Sequence, residues 1–440
     1  MAGGNWITQN KVRPGVYVNI TSNPKTLGTM GVRGTTALAL SLPWGAERAL
    51  QTVRPGDDVE AVFGYELNAP ALMPLREALK RAGEVKVYRL NAGEKAKTAG
   101  SGLEIVAAYS GTRGNDLKVV IEQSVEDPSR FEVNTLLEGR QVDSQSVAEA
   151  AELKGNGWVT FAANGTDGLK PTAGMPLAGG TNGTVTNQDH SSFLAALEVE
   201  EFQTVGLLSD DPQLKALYTA YVKRLRETEG KKVQAVIPNY PSADDEGVIS
   251  VKNGVILNDG TVIDKVQAVA WVAAATAAAE VNESLTYQAY DDAVDADVRF
   301  THTQTTAALQ NGELLFTFSG GKAIVEQDIN SYTSFTPEKG RAFAKNRVIR
   351  VLDGIAGDMK SIFERYYVGK VANNEDGRAL FWSECASYLD NLQQLGAIER
   401  FNAQEDLTVS PGEEEDSVLL ELAVKPVDSV EKVYMKVKVV

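Results

Sequence analysis

The sequence is poor in the residues that build most crosslinks and many active sites. Its 440 residues include one cysteine, Cys385, and two histidines, His190 and His302. A single cysteine excludes an internal disulfide, and with only two histidines beside it the chain lacks ligands for a typical zinc site. The chain therefore suits a reducing compartment, or an assembly that needs no disulfides.

Long apolar runs and an excess of positive charge are also missing. The longest apolar stretch, 266–279, falls short of the ~20 residues that span a bilayer. Residues 1–10 lack the apolar run of a signal peptide. We therefore expect no membrane insertion. The net charge of −16 argues against a nucleic-acid partner, because phosphate binding needs clustered lysine and arginine.

Motifs for catalysis and cofactor binding are absent from the sequence. There is no G-x-S-x-G elbow, no phosphate-binding loop and no dinucleotide fingerprint after a strand. The acidic residues of 291–297 do not have the spacing of an EF-hand, which favours a solvated loop. Cys385 follows Glu384, and a neighbouring carboxylate raises a thiol pKa, which opposes a nucleophilic role. We predict no enzyme, no cofactor and no metal.

Strand and helix patterns alternate in two stretches, 31–96 and 188–330. Compact apolar runs predict strands, and apolar residues at helical spacing, ended by glycine or preceded by aspartate and proline, predict helices between them. The predicted strands are 35–41, 85–90, 204–208 and 233–238, and the predicted helices are 71–82, 191–199, 212–228 and 263–281. This alternation is typical of a mainly parallel sheet covered on both faces, so we predict one split α/β core domain.

The residues between these stretches, 97–187, are rich in glycine, threonine and asparagine and in short β-like runs. Only 147–153 has helical spacing. We predict a β-rich inserted domain. From residue 331 to 440 we predict a C-terminal α+β domain, with a long helix opening at Thr336-Pro337-Glu338, a second helix over 378–395 and a strand over 418–424. The whole is thus an α/β and α+β multidomain protein.

Both ends of the chain have strand-like alternation. Residues 1–30 form a predicted N-terminal arm, and apolar residues alternate with polar ones again from 433 to 439. The candidate arm residues are Val16, Tyr17 and Val18 at one end and Tyr434, Met435, Val437 and Val439 at the other. An isolated strand leaves its backbone groups unpaired, so each arm pairs either within its own fold or with the sheet of a neighbouring chain. The sequence leaves both alternatives open.

One local charge feature contrasts with the acidic composition. The window 338–350 holds five basic residues and one acidic residue. Lys345, Arg347 and Arg350 are the basic residues at its end. This is either a solvated helix face or a docking surface for an acidic partner, where charge complementarity sets the register.

Several of these segments resemble contractile phage tail sheath proteins, most closely those of myophages and of defective prophages from Gram-positive bacteria. The likeness covers most of the chain and is densest after residue 325. The segments that carry it are Arg13-Pro14-Gly15-Val16-Tyr17-Val18, Tyr109-Ser110-Gly111-Thr112-Arg113-Gly114-Asn115, Asp328-Ile329-Asn330-Ser331, Thr336-Pro337-Glu338-Lys339-Gly340-Arg341, Lys345-Asn346-Arg347-Val348-Ile349-Arg350, Gly369-Lys370-Val371, Asp376-Gly377-Arg378 and Gly396-Ala397-Ile398.

The resemblance implies a structural protein rather than an enzyme. Sheath subunits stack as hexameric rings around an inner tube and contract to drive the tube through the host envelope. The implied partners are further copies of the chain, the tail tube protein, and baseplate and tail terminator proteins. The implied location is the virion tail sheath, assembled in the cytoplasm of the bacterial host.

The resemblance also assigns roles to particular residues. In such sheaths the terminal arms add strands to neighbouring subunits, which implies inter-subunit contacts for the candidate arm residues. The C-terminal domain faces the tube, so Lys345, Arg347 and Arg350 would form a tube-facing basic patch. Two alternatives stay open: a soluble α/β enzyme or nucleotide-binding protein that uses the crevice at the carboxyl edge of its sheet, and a non-contractile adhesion module.

Overall fold

The structure is a computed structural model that describes the backbone of 2–4 and 15–17 and then residues 33–165 and 168–439. Contacts divide the chain into two compact units. The larger unit is Val32–Gly357 with Pro426–Val440, and the smaller is Met1–Gly31 with Asp358–Lys425. The domain boundaries inferred from the sequence stay predictions.

A seven-stranded sheet forms the centre of the larger unit. Every neighbouring pair is parallel except the last, where an edge strand runs antiparallel. Most of its strand residues are buried, as expected for a sheet covered on both faces. In spatial order its strands are Glu313–Leu314, Val248–Val251, Gln234–Pro238, Thr204–Gly206, Thr35–Leu40, Glu84–Arg89 and Leu50–Val53.

Helices cover both faces of this sheet. Asn187–Glu198 and Pro212–Glu227 pack on one face, and Met73–Leu79 packs with part of Lys265–Ala278 on the other. Asp211 caps the helix Pro212–Glu227, because its side chain accepts hydrogen bonds from the backbone N–H groups of Gln213 and Leu214. An aspartate directly before a proline predicts such a cap.

Smaller elements complete this part of the larger unit. Two short helices, a small antiparallel sheet and a hairpin near residue 320 lie outside the seven-stranded sheet. They are Val59–Phe63, His302–Gln310, the sheet of Val262–Ile263, Val255–Leu257 and Ala293–Ala296, the hairpin Phe316–Ser319 with Lys322–Val325, and the 3-10 turns Pro70–Leu72 and Pro241–Ala243.

The insertion, predicted from the sequence to be β-rich, is a β-sandwich. Its two antiparallel sheets share one apolar core that includes Ile105, Val119 and Val133. One helical prediction here is wrong: 147–153 holds the end of a strand and a single 3-10 turn, Ala150–Glu152. The strands are Arg140–Val147, Phe131–Leu137, Leu117–Gln123 and Thr172–Pro176 in one sheet and Val159–Ala163, Leu103–Ala107 and Lys97–Gly100 in the other, with a 3-10 helix at Thr112–Asp116.

The long helix begins later than predicted. It is Asn346–Tyr366, preceded by a 3-10 turn at Arg341–Ala344. Thr336 instead closes a tight turn, because its hydroxyl accepts from the N–H of Lys339 at 3.0 Å and its own N–H donates to the carbonyl of Lys339 at 3.0 Å. A threonine followed by proline was therefore a turn signal here rather than a helix start.

The smaller unit contains the end of that helix and a second long helix, Glu375–Gln394, close to its predicted position. A short helix, Ala403–Asp406, leads into an antiparallel hairpin of Leu407–Pro411 and Val418–Leu422. Ala2–Gly4 pairs in parallel with Gly15–Tyr17. The mixed multidomain fold class predicted from the sequence is confirmed, with its sandwich insertion.

Candidate assembly surfaces

His190 and Cys385 are buried, whereas His302 is exposed. His190 Nδ1 lies 2.9 Å from the hydroxyl of Tyr218, and burial lowers the pKa of His190. Burial, with a further contribution from Glu384, raises the pKa of Cys385 to about 12. A neutral, buried imidazole and a protonated, buried thiol both serve packing better than catalysis. Across the described part of the chain, no three His, Cys, Asp or Glu side chains cluster as a metal site.

At the carboxyl edge of the sheet, where an α/β enzyme would bind its ligand, the insertion fills the space beyond one strand. Trp44, just beyond the central strand Thr35–Leu40, is fully buried between Tyr109 and Trp158, with ring centroids 5.4 Å and 5.5 Å away. Gly111, at φ +123°, lies so close to Pro43 that a Cβ there would sit 2.0 Å from its carbonyl oxygen. The crevice is thus occupied by the protein's own side chains.

A charged cavity of about 340 Å³ lies elsewhere in the larger unit. Its lining includes three cations that already have carboxylate partners. The pairs are Arg226 with Asp353 at 2.7 Å, Lys339 with Glu246 at 2.7 Å and Lys223 with Asp245 at 3.3 Å. Because the two signs balance locally, the cavity offers no concentrated charge to an ionic ligand.

No described helix combines the length and the apolar composition that crossing a membrane requires.

The C-terminal tail is the most exposed apolar segment of the described chain. Val433, Tyr434, Met435, Val437 and Val439 are between 74% and 97% exposed. No strand is formed over 433–439, so the predicted C-terminal strand has no partner within the described residues. A segment with the alternation of a strand and no sheet of its own fits pairing with another chain better than pairing within its own fold.

At the other end, Val16 and Tyr17 belong to the short strand Gly15–Tyr17. This strand pairs in parallel with Ala2–Gly4 in the smaller unit. The third candidate, Val18, lies outside the described residues.

The hairpin of the smaller unit pairs the strand predicted over 418–424 with a strand that the sequence reasoning missed. Leu407–Pro411 and Val418–Leu422 form a sheet of only two strands among the described residues, and Leu419 on the outer strand is 50% exposed. A two-stranded sheet is marginal alone and leaves edges that an added strand can complete.

The side chains at the basic helix start are less exposed than those of a docking surface usually are. Arg350 is only 2% exposed. It donates to the carbonyl of Glu283 at 2.6 Å and lies 3.5 Å from the carboxylate of Asp328. Arg347 is half-buried, and the ammonium of Lys345 forms an ion pair with Glu431 of the C-terminal tail. Sequence reasoning misses Glu431. The one feature in the sequence that could have indicated it is an acidic residue immediately before the lysines of the tail.

Comparison with known proteins identifies relatives along almost the whole length. Four family models match consecutive parts of the chain: tail sheath protein Gp18 domain III N-terminal region at 33–90, phage tail sheath protein beta-sandwich domain at 91–182, phage tail sheath protein central domain at 183–331, and phage tail sheath C-terminal domain at 338–440.

Individual relatives agree with these models. The phage-like element PBSX protein XkdK of Bacillus subtilis is 38% identical, with the alignment covering 100% of both chains. The crystal structure of the sheath tail protein from Desulfitobacterium hafniense is 50% identical, with a TM-score of 0.87, covering 96% of this chain and 99% of that one. The helical sheath of the anti-feeding prophage in its contracted state is 14% identical, with a TM-score of 0.57 over 97% of this chain and 99% of that one, and shows a shared fold alone.

Proposed function

This chain belongs to the phage tail sheath protein family, and on that premise we propose how its described surfaces serve a contractile sheath. The protein is a structural subunit of a contractile tail sheath. It polymerises with copies of itself, and the polymer contracts to drive the tail tube through the host envelope. A lattice of this kind needs two packings of the same subunits.

The terminal segments are the proposed links between subunits. The single observation that carries this is the C-terminal tail, which has strand alternation, high exposure and no sheet of its own among the described residues. In a polymer its backbone would pair with a sheet edge of the next copy, and Tyr434, Met435, Val437 and Val439 would set the register. We propose the same linking role for the N-terminal Val16, Tyr17 and Val18.

Negative-stain electron microscopy of the purified chain across a concentration series tests the polymer. We expect hollow, helically striated tubes that appear above a threshold concentration. A chain truncated after Lys432 is the control, and should remain as compact particles. Compact particles from the full chain at every concentration, even with the tail tube protein present, would contradict the proposal.

The tube-facing role of Lys345, Arg347 and Arg350 remains a proposal, supported by the excess of cations at the start of one helix. Arg347 is the residue to test, because its side chain is more exposed than that of the buried Arg350. We expect Arg347→Gln to lower co-sedimentation with the tail tube protein, and the melting temperature of the variant reports whether its fold is intact. Arg299→Gln, which removes an exposed cation from the same unit, is the matched control. Equal binding by the two variants would contradict a tube-facing role for these basic residues.

We infer the remaining partners and the location from family membership. The family is structural, and a sheath component belongs to the virion tail. We propose that the polymer ends contact baseplate and tail terminator proteins and that assembly takes place in the host cytoplasm. The alternative of an α/β enzyme has no specific observation in its favour, since the crevice that it would use is filled by the insertion.

A further inference from the structure

The root of the C-terminal tail is held by one carboxylate. The side chain of Glu431 is 11% exposed, although the residues from Val433 onward project into solvent. Gln327 Nε2 donates to it at 2.5 Å and Thr286 Oγ1 at 2.9 Å, and the ammonium of Lys345 pairs with it. All four residues belong to the larger unit.

One of these donors, Thr286, is itself fixed by a buried network. The hydroxyl of Thr286 accepts from the N–H of Asp328 at 3.0 Å. The carboxylate of Asp328, itself buried, accepts from the N–H of Leu285 at 3.0 Å and from Asn346 Nδ2 at 2.9 Å. Because these bonds do not involve the tail, they hold Thr286 in place independently of Glu431.

Backbone contacts bring Lys345 to the same place. A β-bridge joins Ile329 to Lys345, and the N–H of Asn346 donates to the carbonyl of Asp328 at 3.1 Å. The ammonium therefore lies beside the segment that carries Gln327.

The charge state suits an anchor. Burial acts to raise the pKa of Glu431, but the hydrogen bonds from Lys345 and Gln327 outweigh it and hold that pKa below its usual value. The carboxylate is thus ionised at neutral pH, and its bonds to charged and polar donors are the strong kind. Asp428, the other acid of the tail, is 40% exposed and lies 3.8 Å from Lys345.

We propose that Glu431 is a positioning residue that anchors the root of the C-terminal arm on its own subunit and fixes the direction in which the arm leaves for the next copy. This rests on the proposed function, because it takes the arm to be a link between subunits. A free arm would search many orientations before pairing, and fixing its root reduces the entropy that each new contact must overcome.

Hydrogen exchange of the verified monomer tests the anchor without assembly. We expect Glu431→Ala to speed exchange over 427–432 at least about tenfold, the factor that corresponds to losing a charge-assisted hydrogen bond. Glu431→Gln should give a smaller change in the same direction. The matched control is Asp428→Asn, in the same tail and beside the same lysine, which should leave exchange close to that of the original chain.

Exchanging the charges of Lys345 and Glu431 distinguishes the loss of their ion pair from general misfolding. Lys345→Glu and Glu431→Lys should each loosen the tail, and the double variant should restore protection, since Gln327 and Thr286 can also accept hydrogen bonds from a lysine. Exchange over Thr35–Leu40 reports whether the fold is intact. Additive loss in the double variant, or unchanged exchange in Glu431→Ala, would overturn the anchor.

Sedimentation of assemblies formed with the tail tube protein separates the role of the arm as a link from the role of Glu431 as its anchor. We expect Glu431→Ala to raise the concentration needed for assembly, and truncation after Lys432 to raise it further. If the truncated chain assembles as well as the full chain, the arm is not a link and the proposed role of the C-terminal arm fails. If truncation blocks assembly while Glu431→Ala assembles normally, the link stands and the anchor fails.

Discussion

At the residue scale, one ion pair of the larger unit is mostly buried. Arg226 is 7% exposed and forms two hydrogen bonds with the carboxylate of Asp353, at 2.7 Å and 2.8 Å. It also donates to the carbonyl of Val233 at 3.0 Å. Removing one member of such a pair leaves the other charge without compensation in a poorly solvated place.

Asp353→Ala should therefore lower the free energy of unfolding by about 3–5 kcal/mol, the usual cost of isolating a buried charge. Arg54→Ala is the comparison, because Arg54 is 63% exposed in its ion pair with Glu84. That change should cost no more than about 1 kcal/mol. Urea denaturation of the two variants measures the difference, and equal losses would show that the burial of Arg226 has no energetic consequence.

The sequence showed where charged residues cluster, but it did not show which residues within the chain pair with them. The cationic window around Lys345 was visible in the sequence, but its partner Glu431 lies 86 residues further along. Nothing in a single sequence pairs positions at that separation. For the same reason Arg350 was expected to face a partner, whereas it contacts Asp328 and the carbonyl of Glu283 in the interior.

At the element scale, predictions held where the signal was local. Asp211 and Pro212 mark a helix start through backbone groups one to three residues away, and the helix begins there. The helix predicted over 147–153 was wrong because the apolar spacing of this segment suits either a helix or a strand. Pairing of Val147 with Phe131 in the neighbouring strand decided the outcome. Long-range pairing overrides local preference more readily in sheets than in helices.

The terminal strands illustrate the same limit from the other side. The alternation over 433–439 predicts a strand, yet among the described residues no sheet includes this segment. The hairpin of Leu407–Pro411 and Val418–Leu422 has only two strands in the part of the chain that the structure describes. Pairing of the segment with a sheet of another copy therefore stays a proposal.

At the scale of the whole molecule, part of the edge where an α/β sheet can bind a ligand is filled by aromatic packing. An α/β sheet normally offers a crevice at its carboxyl edge. Here Trp44, Tyr109 and Trp158 fill that edge as part of the packing between the sheet and the insertion. The split core and the inserted domain were both predictable from their patterns. The filling of the crevice was not, because it depends on contacts between distant segments.

An assembly that uses terminal arms should change the protection of those arms and little else. In the verified monomer we expect amides over 433–439 to exchange as fast as an unstructured peptide, because they have no strand partner in the described chain. In assembled tubes the same amides should be strongly protected. The strand Thr35–Leu40, buried in the seven-stranded sheet, should be protected in both states and serves as the internal control.

Hydrogen exchange with mass spectrometry on monomers and tubes of the same preparation makes the comparison. Protection over 433–439 already in the monomer would mean that the arm pairs within its own subunit. Fast exchange in both states would mean that the polymer is held by other surfaces. Protection gained only on assembly would show that the main-chain bonds of the arm form between subunits, so that rigid units can rotate during contraction while the links that join them persist.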